Sequence, residues 1–434
     1  MPILFSDVTV VPMDGAPQVL EHAYVPVEGT KIASVGTEPP EGTFDRVVDG
    51  AGKVLLPGFV NAHTHLPMTL MRGYGGGCDL HTWLNQYIFP AEARLDSRAV
   101  AAGAGLGLAE MIASGVTCVA DMYMHTGTIA EQILEAGISA NLSCGGVYFG
   151  APEDFSPETC GDCRNQAALT EEWHGAGAGQ ILVDASVHGE YTSNPPLWRW
   201  MAEYAAEHRL GMHVHVSETQ SEHQASLERW GKTPIQALDG CGVWDCGRSL
   251  AAHCVYTTEE DWALMAEKGI SCVHNPWSNL KLGSGVAPIP AMMRAGVNVA
   301  LGTDGMSSHN SADLFSDIKL AAVLHNGVER DPMAVNAWAA LEMATVNGAR
   351  ALGRDTGVIA PGKTADLILV DLSAPNLIPC HDPVEDLVFS AHGSNVEMNM
   401  ARGQVIYEKG SFLTLDLERV RWEVEHYALP LIFG

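Results

Sequence analysis

The sequence predicts an α/β protein: a (β/α)8 TIM barrel carrying a small β-sandwich domain built from both chain ends. Three observations predict it. Eight short β-like runs alternate with apolar-periodic helical stretches, the number of units that closes such a barrel. Histidines and aspartates recur at the C-terminal ends of those runs. The two chain ends lack the alternation and carry short strand patterns with glycine and proline turns.

Taken in order, residues 1–57 contain alternating runs such as Asp7–Val11, and residues 352–434 contain Leu367–Leu372 and Gln404–Tyr407. Neither end can bury a sheet alone, and chain termini often meet. The expected organisation is therefore a composite β-sandwich domain, 1–57 plus 352–434, around a barrel spanning 58–351. The barrel runs are Val54–Val60, Val116–Met122, Ser139–Val147, Ile181–Val187, Gly211–Val216, Ser249–Cys254, Ile270–Val273 and Val297–Leu301. Helices are expected between them, including Ala99–Ile112, Leu197–Glu207, Glu259–Glu267 and Ala312–Leu324. Thr257 and Thr258 precede Glu260 and Asp261 by three residues, a capping pattern, and Asn194 before Pro195-Pro196 suits a helix start.

The chain has 434 residues, 47% hydrophobic and 18% charged, which excludes disordered, collagen-like and coiled-coil readings. Its net charge of −28 opposes binding to a phosphate backbone or an anionic membrane. The expected partner is a small molecule. No signal-peptide pattern opens the sequence and no 18-residue apolar stretch occurs, so a cytoplasmic protein with reduced thiols is expected from its ten scattered cysteines. The Gly-Lys-Thr at 362–364 lacks the spacing and following helix of a phosphate-binding loop.

Seven histidines fall at or just past run ends: His63, His65, His188, His213, His215, His253 and His274, with Asp121 and Asp304 at similar positions. In a barrel that rim carries catalytic side chains. His63 and His65 share one strand face. With His215 and Asp304 they give three imidazoles and one carboxylate, a set suited to zinc or iron with an open position for water. Glu218, three residues after His215, is placed to act as a general acid, or simply as a first-turn helix carboxylate. His253 is placed to orient water or stabilise developing charge, or to be a core histidine. His213 reads as interior packing, and His274 as structural or supporting.

The segments Pro57–Thr69, His213–Thr219, Ala252–Cys254, His274–Leu282 and Leu301–Gly305 together resemble the amidohydrolase superfamily, along nearly the whole chain. Within it they are most similar to the 5′-methylthioadenosine/S-adenosylhomocysteine deaminases. The resemblance implies one divalent metal ion per subunit, zinc first with iron or manganese as alternatives, held by His63, His65, His215 and Asp304. It implies Glu218, His253 and Asp304 as the proton-handling residues, and His188, Glu92 and Trp83 as substrate-binding residues, with Glu92 accepting hydrogen bonds from ribose hydroxyls. Packing is an equal account of Trp83. It also implies a homo-oligomer.

Three departures bear on the substrate. Cys144 stands where relatives that accept S-adenosylhomocysteine carry arginine, and loop 152–163 is acidic, with Arg164 its only cation. Glu190 is placed either to bind a substrate amine or to be solvated. Trp277 replaces a smaller residue and is expected to narrow the pocket. The alternative is a sister enzyme acting on a free purine, pterin, pyrimidine or triazine. A zinc deaminase of the His-x-Glu…Pro-Cys-x-x-Cys type is rejected, because Cys160 and Cys163 precede His188-Gly-Glu190. A scaffold without activity is disfavoured because no ligand is missing.

Overall fold

A computed structural model of the chain describes residues 2–434. The N-terminal strands are β1 (Ile3–Val10), β2 (Leu20–Glu28), β3 (Lys31–Ile32), β4 (Arg46–Asp49) and β5 (Lys53–Pro57). Eight parallel strand positions follow. They are β6 (Phe59–His65), β7 (Val116–Met122), β8 (Ser139–Ser143), the split fourth strand β9 (Ile181–Val183) and β10 (Ala185–Gly189), β11 (Met212–Val216), β12 (Ser249–His253), β13 (Ile270–His274), and the split eighth strand β14 (Val299–Leu301) and β15 (Asp304–Gly305). Sheet β15-β6-β7-β8-β9 and sheet β10-β11-β12-β13-β14 share the two split strands, so the ring closes.

The C-terminal strands β16 (Leu367–Asp371), β17 (Val396–Ala401), β18 (Gln404–Glu408) and β19 (Ser411–Phe412) join the N-terminal ones in a nine-stranded sheet. Its seam is the antiparallel pair β16–β5, with Leu367 opposite Pro57 and Asp371 opposite Lys53. The two ends thus complete one sheet that neither could form alone.

The first barrel run differs from expectation. Residues 54–60 are divided between two sheets, and the barrel strand itself continues to His65. The boundary falls at Gly58, where only glycine fits, because a Cβ there would lie 2.3 Å from the Thr117 side chain. The helices match closely: Ser97–Ala113, Pro195–His208, Glu259–Lys268 and Leu314–Glu329. Thr258 and Asp261 form the capping box. The helix starts at Pro195 as expected, with Asn194 at its N-terminal boundary, although the Asn194 amide donates to the Gly150 carbonyl and makes no side-chain cap.

The barrel floor is apolar. Val60, Ala62, Ala120, Leu250, Val273 and Ala300 are all at most 1% exposed and pack in one cluster. Burying each aliphatic side chain stabilises the fold by about 1.5–3 kcal/mol for the larger ones. Polar side chains project above this plug, at the C-terminal rim. No helix among the described residues is long and apolar enough to cross a membrane.

Candidate active site and metal centre

Four side chains converge at the rim. His65 Nε2 lies 3.2 Å and His63 Nε2 3.4 Å from Asp304 Oδ1. His215 Nε2 lies 3.4 Å from His65 Nε2. Strand pleating puts His63 and His65 on one face, and β11 and β15 bring in the other two. Asp304 adopts φ +61°, which turns its carboxylate toward the histidines. Gly302 permits the close approach, because a Cβ there would lie 2.9 Å from His63 Cβ.

Each histidine is oriented from behind. His65 Nδ1 is 2.5 Å from the Met122 carbonyl, and His215 Nδ1 is 2.7 Å from the His188 carbonyl. Donating those Nδ1 protons leaves the Nε2 lone pairs facing inward. His63 Nδ1 lies 2.8 Å from His213 Nε2, and His213 Nδ1 lies 3.4 Å from Ser143 Oγ. His213 is therefore not mere packing: it fixes the His63 ring and tautomer. On Asp304, Ser278 and Ser308 donate to Oδ2 at 2.5 and 2.9 Å, leaving Oδ1 facing the same space as the histidine Nε2 atoms.

The donors fit a divalent cation. His63 Nε2 is fully buried with no hydrogen-bond partner, a costly arrangement unless it ligates. The potential ligand atoms of His63, His65 and Asp304 all lie within 4.8 Å of one another, and three nitrogens with one oxygen suit zinc, iron or manganese. Burial drives His63 and His215 well below the usual imidazole range, so both are neutral and able to bind. Burial lowers His65 too, but Asp304 outweighs it and raises the group to about 9; a cation bound between them displaces that proton. Replacing His213 by leucine is expected to weaken zinc binding about 10- to 100-fold in chelator competition, with the fold retained. Unchanged affinity would limit His213 to packing.

Two further groups face the same space. Glu218 is buried, its carboxyl 3.4 Å from Ser284 Oγ and 3.9 Å from His253 Nε2, and burial raises it above the usual carboxyl range. His253 adopts φ +75° and holds Nδ1 2.8 Å from Asn279 Oδ1. Ser278 and Asn279 belong to the segment His274–Leu282, whose contribution is to orient Asp304 and His253. His274 itself pairs with a helix residue, its Nε2 lying 3.1 Å from His325 Nε2.

His188 sits beside the cluster, its ring 4.7 Å from that of His215 and its Nδ1 3.1 Å from Thr192 Oγ1; burial lowers it to about 4. The buried Glu92 accepts from the Tyr123 hydroxyl at 2.6 Å, and the Tyr123 ring lies 6.2 Å from His65. Trp83 is 4% exposed and donates to the Tyr74 carbonyl at 3.3 Å.

One side chain departs from expectation. Glu190 is neither solvated nor free to bind an amine. It is buried and accepts from Arg229 Nη2 at 2.6 Å and Trp230 Nε1 at 2.5 Å. The Cys144 thiol points at Gln166 Oε1, 3.4 Å away, and burial pushes it up to about 12. Arg164 donates to the Glu158 carbonyl. Trp277 is 42% exposed, its ring 5.8 Å from that of His309. Glu222, not singled out in the sequence, lies buried behind Glu218; its position four residues after Glu218 was the available signal.

A closed barrel with a histidine-rich cation site and a buried acid beside it defines a metal-dependent hydrolase. The chain belongs to the amidohydrolase family, whose model matches residues 54–406. It is 41% identical over 436 residues to the 5-methylthioadenosine/S-adenosylhomocysteine deaminase of Caldanaerobacter subterraneus subsp. tengcongensis, covering 100% of this chain and 99% of that protein. It is 40% identical over 412 residues to the 5'-deoxyadenosine deaminase of Methanothermobacter thermautotrophicus, covering 95% of each. Among solved structures, an adenosine deaminase from Xanthomonas campestris with bound zinc superposes with a TM-score of 0.92 at 32% identity, covering 99% and 98%.

Proposed function

We infer that the protein is a hydrolytic deaminase releasing ammonia from the adenine ring of a small nucleoside such as 5′-methylthioadenosine, adenosine or 5′-deoxyadenosine. One observation carries this reading: the three-histidine, one-aspartate cluster adjoins a buried acid, Glu218, and a histidine, His253, that complete a proton-transfer set. Full-length relatives at about 40% identity are named for deaminating such nucleosides.

His63, His65, His215 and Asp304 would hold one ion, most simply zinc. Bound there, the ion lowers the pKa of a water toward neutrality and so supplies hydroxide near pH 7. Asp304 would take the water's proton. Glu218, whose pKa burial raises above the usual carboxyl range, donates a proton to the ring nitrogen next to the attacked carbon, so the addition forms no free anion. His253 Nε2 hydrogen-bonds the attacking oxygen while Asn279 fixes its ring. The proton held by Asp304 then passes to the amino group, which leaves as ammonia, and the added hydroxyl returns a proton to Glu218 as the carbonyl forms. Glu92 accepts from the ribose hydroxyls, His188 contacts the nucleoside, and Trp83, on the same segment as Glu92, walls that subsite; together they supply orientation.

The reading extends to organisation. Residues 1–57 plus 352–434 act as the β-sandwich domain and 58–351 as the catalytic barrel. The enzyme works as a homo-oligomer in the cytoplasm, where its ten free cysteines stay reduced.

The test is ammonia release by the zinc-loaded protein from adenosine, 5′-methylthioadenosine, 5′-deoxyadenosine, S-adenosylhomocysteine, guanine and cytosine. Activity is expected on the first three. S-adenosylhomocysteine should show at least ~10-fold lower kcat/KM, the size of one missing charge-assisted hydrogen bond to its carboxylate. Cys144 gives no such contact, and Arg164 is turned to its own loop. Turnover of guanine or cytosine with silence on the nucleosides would transfer the assignment to the free-base enzymes.

A further inference from the structure

The geometry points to Glu222 as the positioning residue for the acid Glu218: its carboxylate clamps the two backbone N–H groups between metal ligand and acid and so sets where Glu218 projects. The inference rests on the reading of Glu218 as the proton donor.

The link from His215 to Glu218 is two residues, Val216 and Ser217. Within it Ser217 adopts φ +49°, a left-handed conformation unusual for a residue with a side chain. Glu222 Oε1 accepts from the Ser217 N–H at 2.8 Å, and Oε2 accepts from the Glu218 N–H at 2.7 Å. On the other side, the Ser217 carbonyl accepts from Tyr256 N–H at 2.9 Å, tying the turn to the segment that follows the His253 strand.

Glu218's own carboxyl has little to hold it. Its side-chain contacts are a 3.4 Å hydrogen bond from Ser284 and a 3.9 Å approach to His253. Its aim therefore comes from its backbone, and Glu222 holds that backbone. Glu222 is 6% exposed, so water cannot replace the clamp. It sits three residues after Thr219, the cap of helix Gln220–Trp230, where a carboxylate ordinarily serves the helix start. Here it reaches back beyond the cap to the turn.

Glu222→Ala and Glu222→Gln separate positioning from plain capping. Displacing an acid by about 1 Å costs on the order of 10²-fold. Glu222→Ala should lower kcat by about that factor, with KM within about threefold and zinc affinity unchanged. Glu222→Gln, keeping one acceptor, should fall between. In the Glu218→Gln background, measured as residual ammonia release at high enzyme concentration, Glu222→Ala should cost nothing further, because its route is already removed.

The proposal is overturned if kcat of both single variants stays within about threefold of the parent. It is equally overturned if the loss tracks zinc loss or a falling Tm, or if it multiplies with Glu218→Gln. Failure of the underlying reading looks different: Glu218→Gln itself would then keep its rate, whatever Glu222 does.

Discussion

Asp304→Asn is expected to lower kcat by at least ~10³-fold while the barrel stays folded. The substitution keeps the size of the side chain and inverts its chemistry. Ser278 and Ser308 donate to one carboxylate oxygen, so an asparagine turns its carbonyl toward them. Its NH2 then faces His63 and His65, where the carboxylate oxygen stood 3.4 and 3.2 Å away. A donor there repels a cation, and an amide cannot take the water's proton. Zinc content and ammonia release, measured on the same sample, check both effects. Turnover near the parent rate with full zinc would remove Asp304 from the chemistry.

The second large effect is Glu218→Gln, expected to cost ~10²–10⁴-fold in kcat, the range for loss of a general acid. KM should change little, because the amide keeps the shape and its contact with Ser284. Burial raises the Glu218 pKa, which extends its protonated form above the usual carboxyl range. The acid is active while protonated. Rate should therefore be present below that raised pKa and decline as pH rises through it. In Glu218→Gln the residual rate should lose this alkaline limb. A parent-like pH profile in the variant would mean another group supplies the proton.

Much of this was legible in the sequence because the evidence is local. Alternating runs and helices gave eight barrel units, and the spacing of His63 and His65 alone put two imidazoles on one face. What the sequence could not show is what each side chain meets across the fold. Glu190 looked free, yet its partners Arg229 and Trp230 lie about forty residues downstream on a neighbouring helix. His213 looked like filler because its partner, His63, lies 150 residues away. The His274–Leu282 segment stood out as a motif, but only the folded chain assigns Ser278 to Asp304 and Asn279 to His253. The need for glycine at position 58 was likewise invisible, since its reason is the Thr117 side chain on the next barrel strand.

The most direct test of the central claim is to incubate the zinc-loaded protein with 5′-methylthioadenosine in ¹⁸O-labelled water and weigh the product. Hydrolytic deamination predicts one ammonia per nucleoside consumed. It also predicts a purine product carrying one water-derived oxygen in place of the amino group, with the sugar still attached. Unchanged nucleoside, or free adenine released without ammonia, would contradict the account.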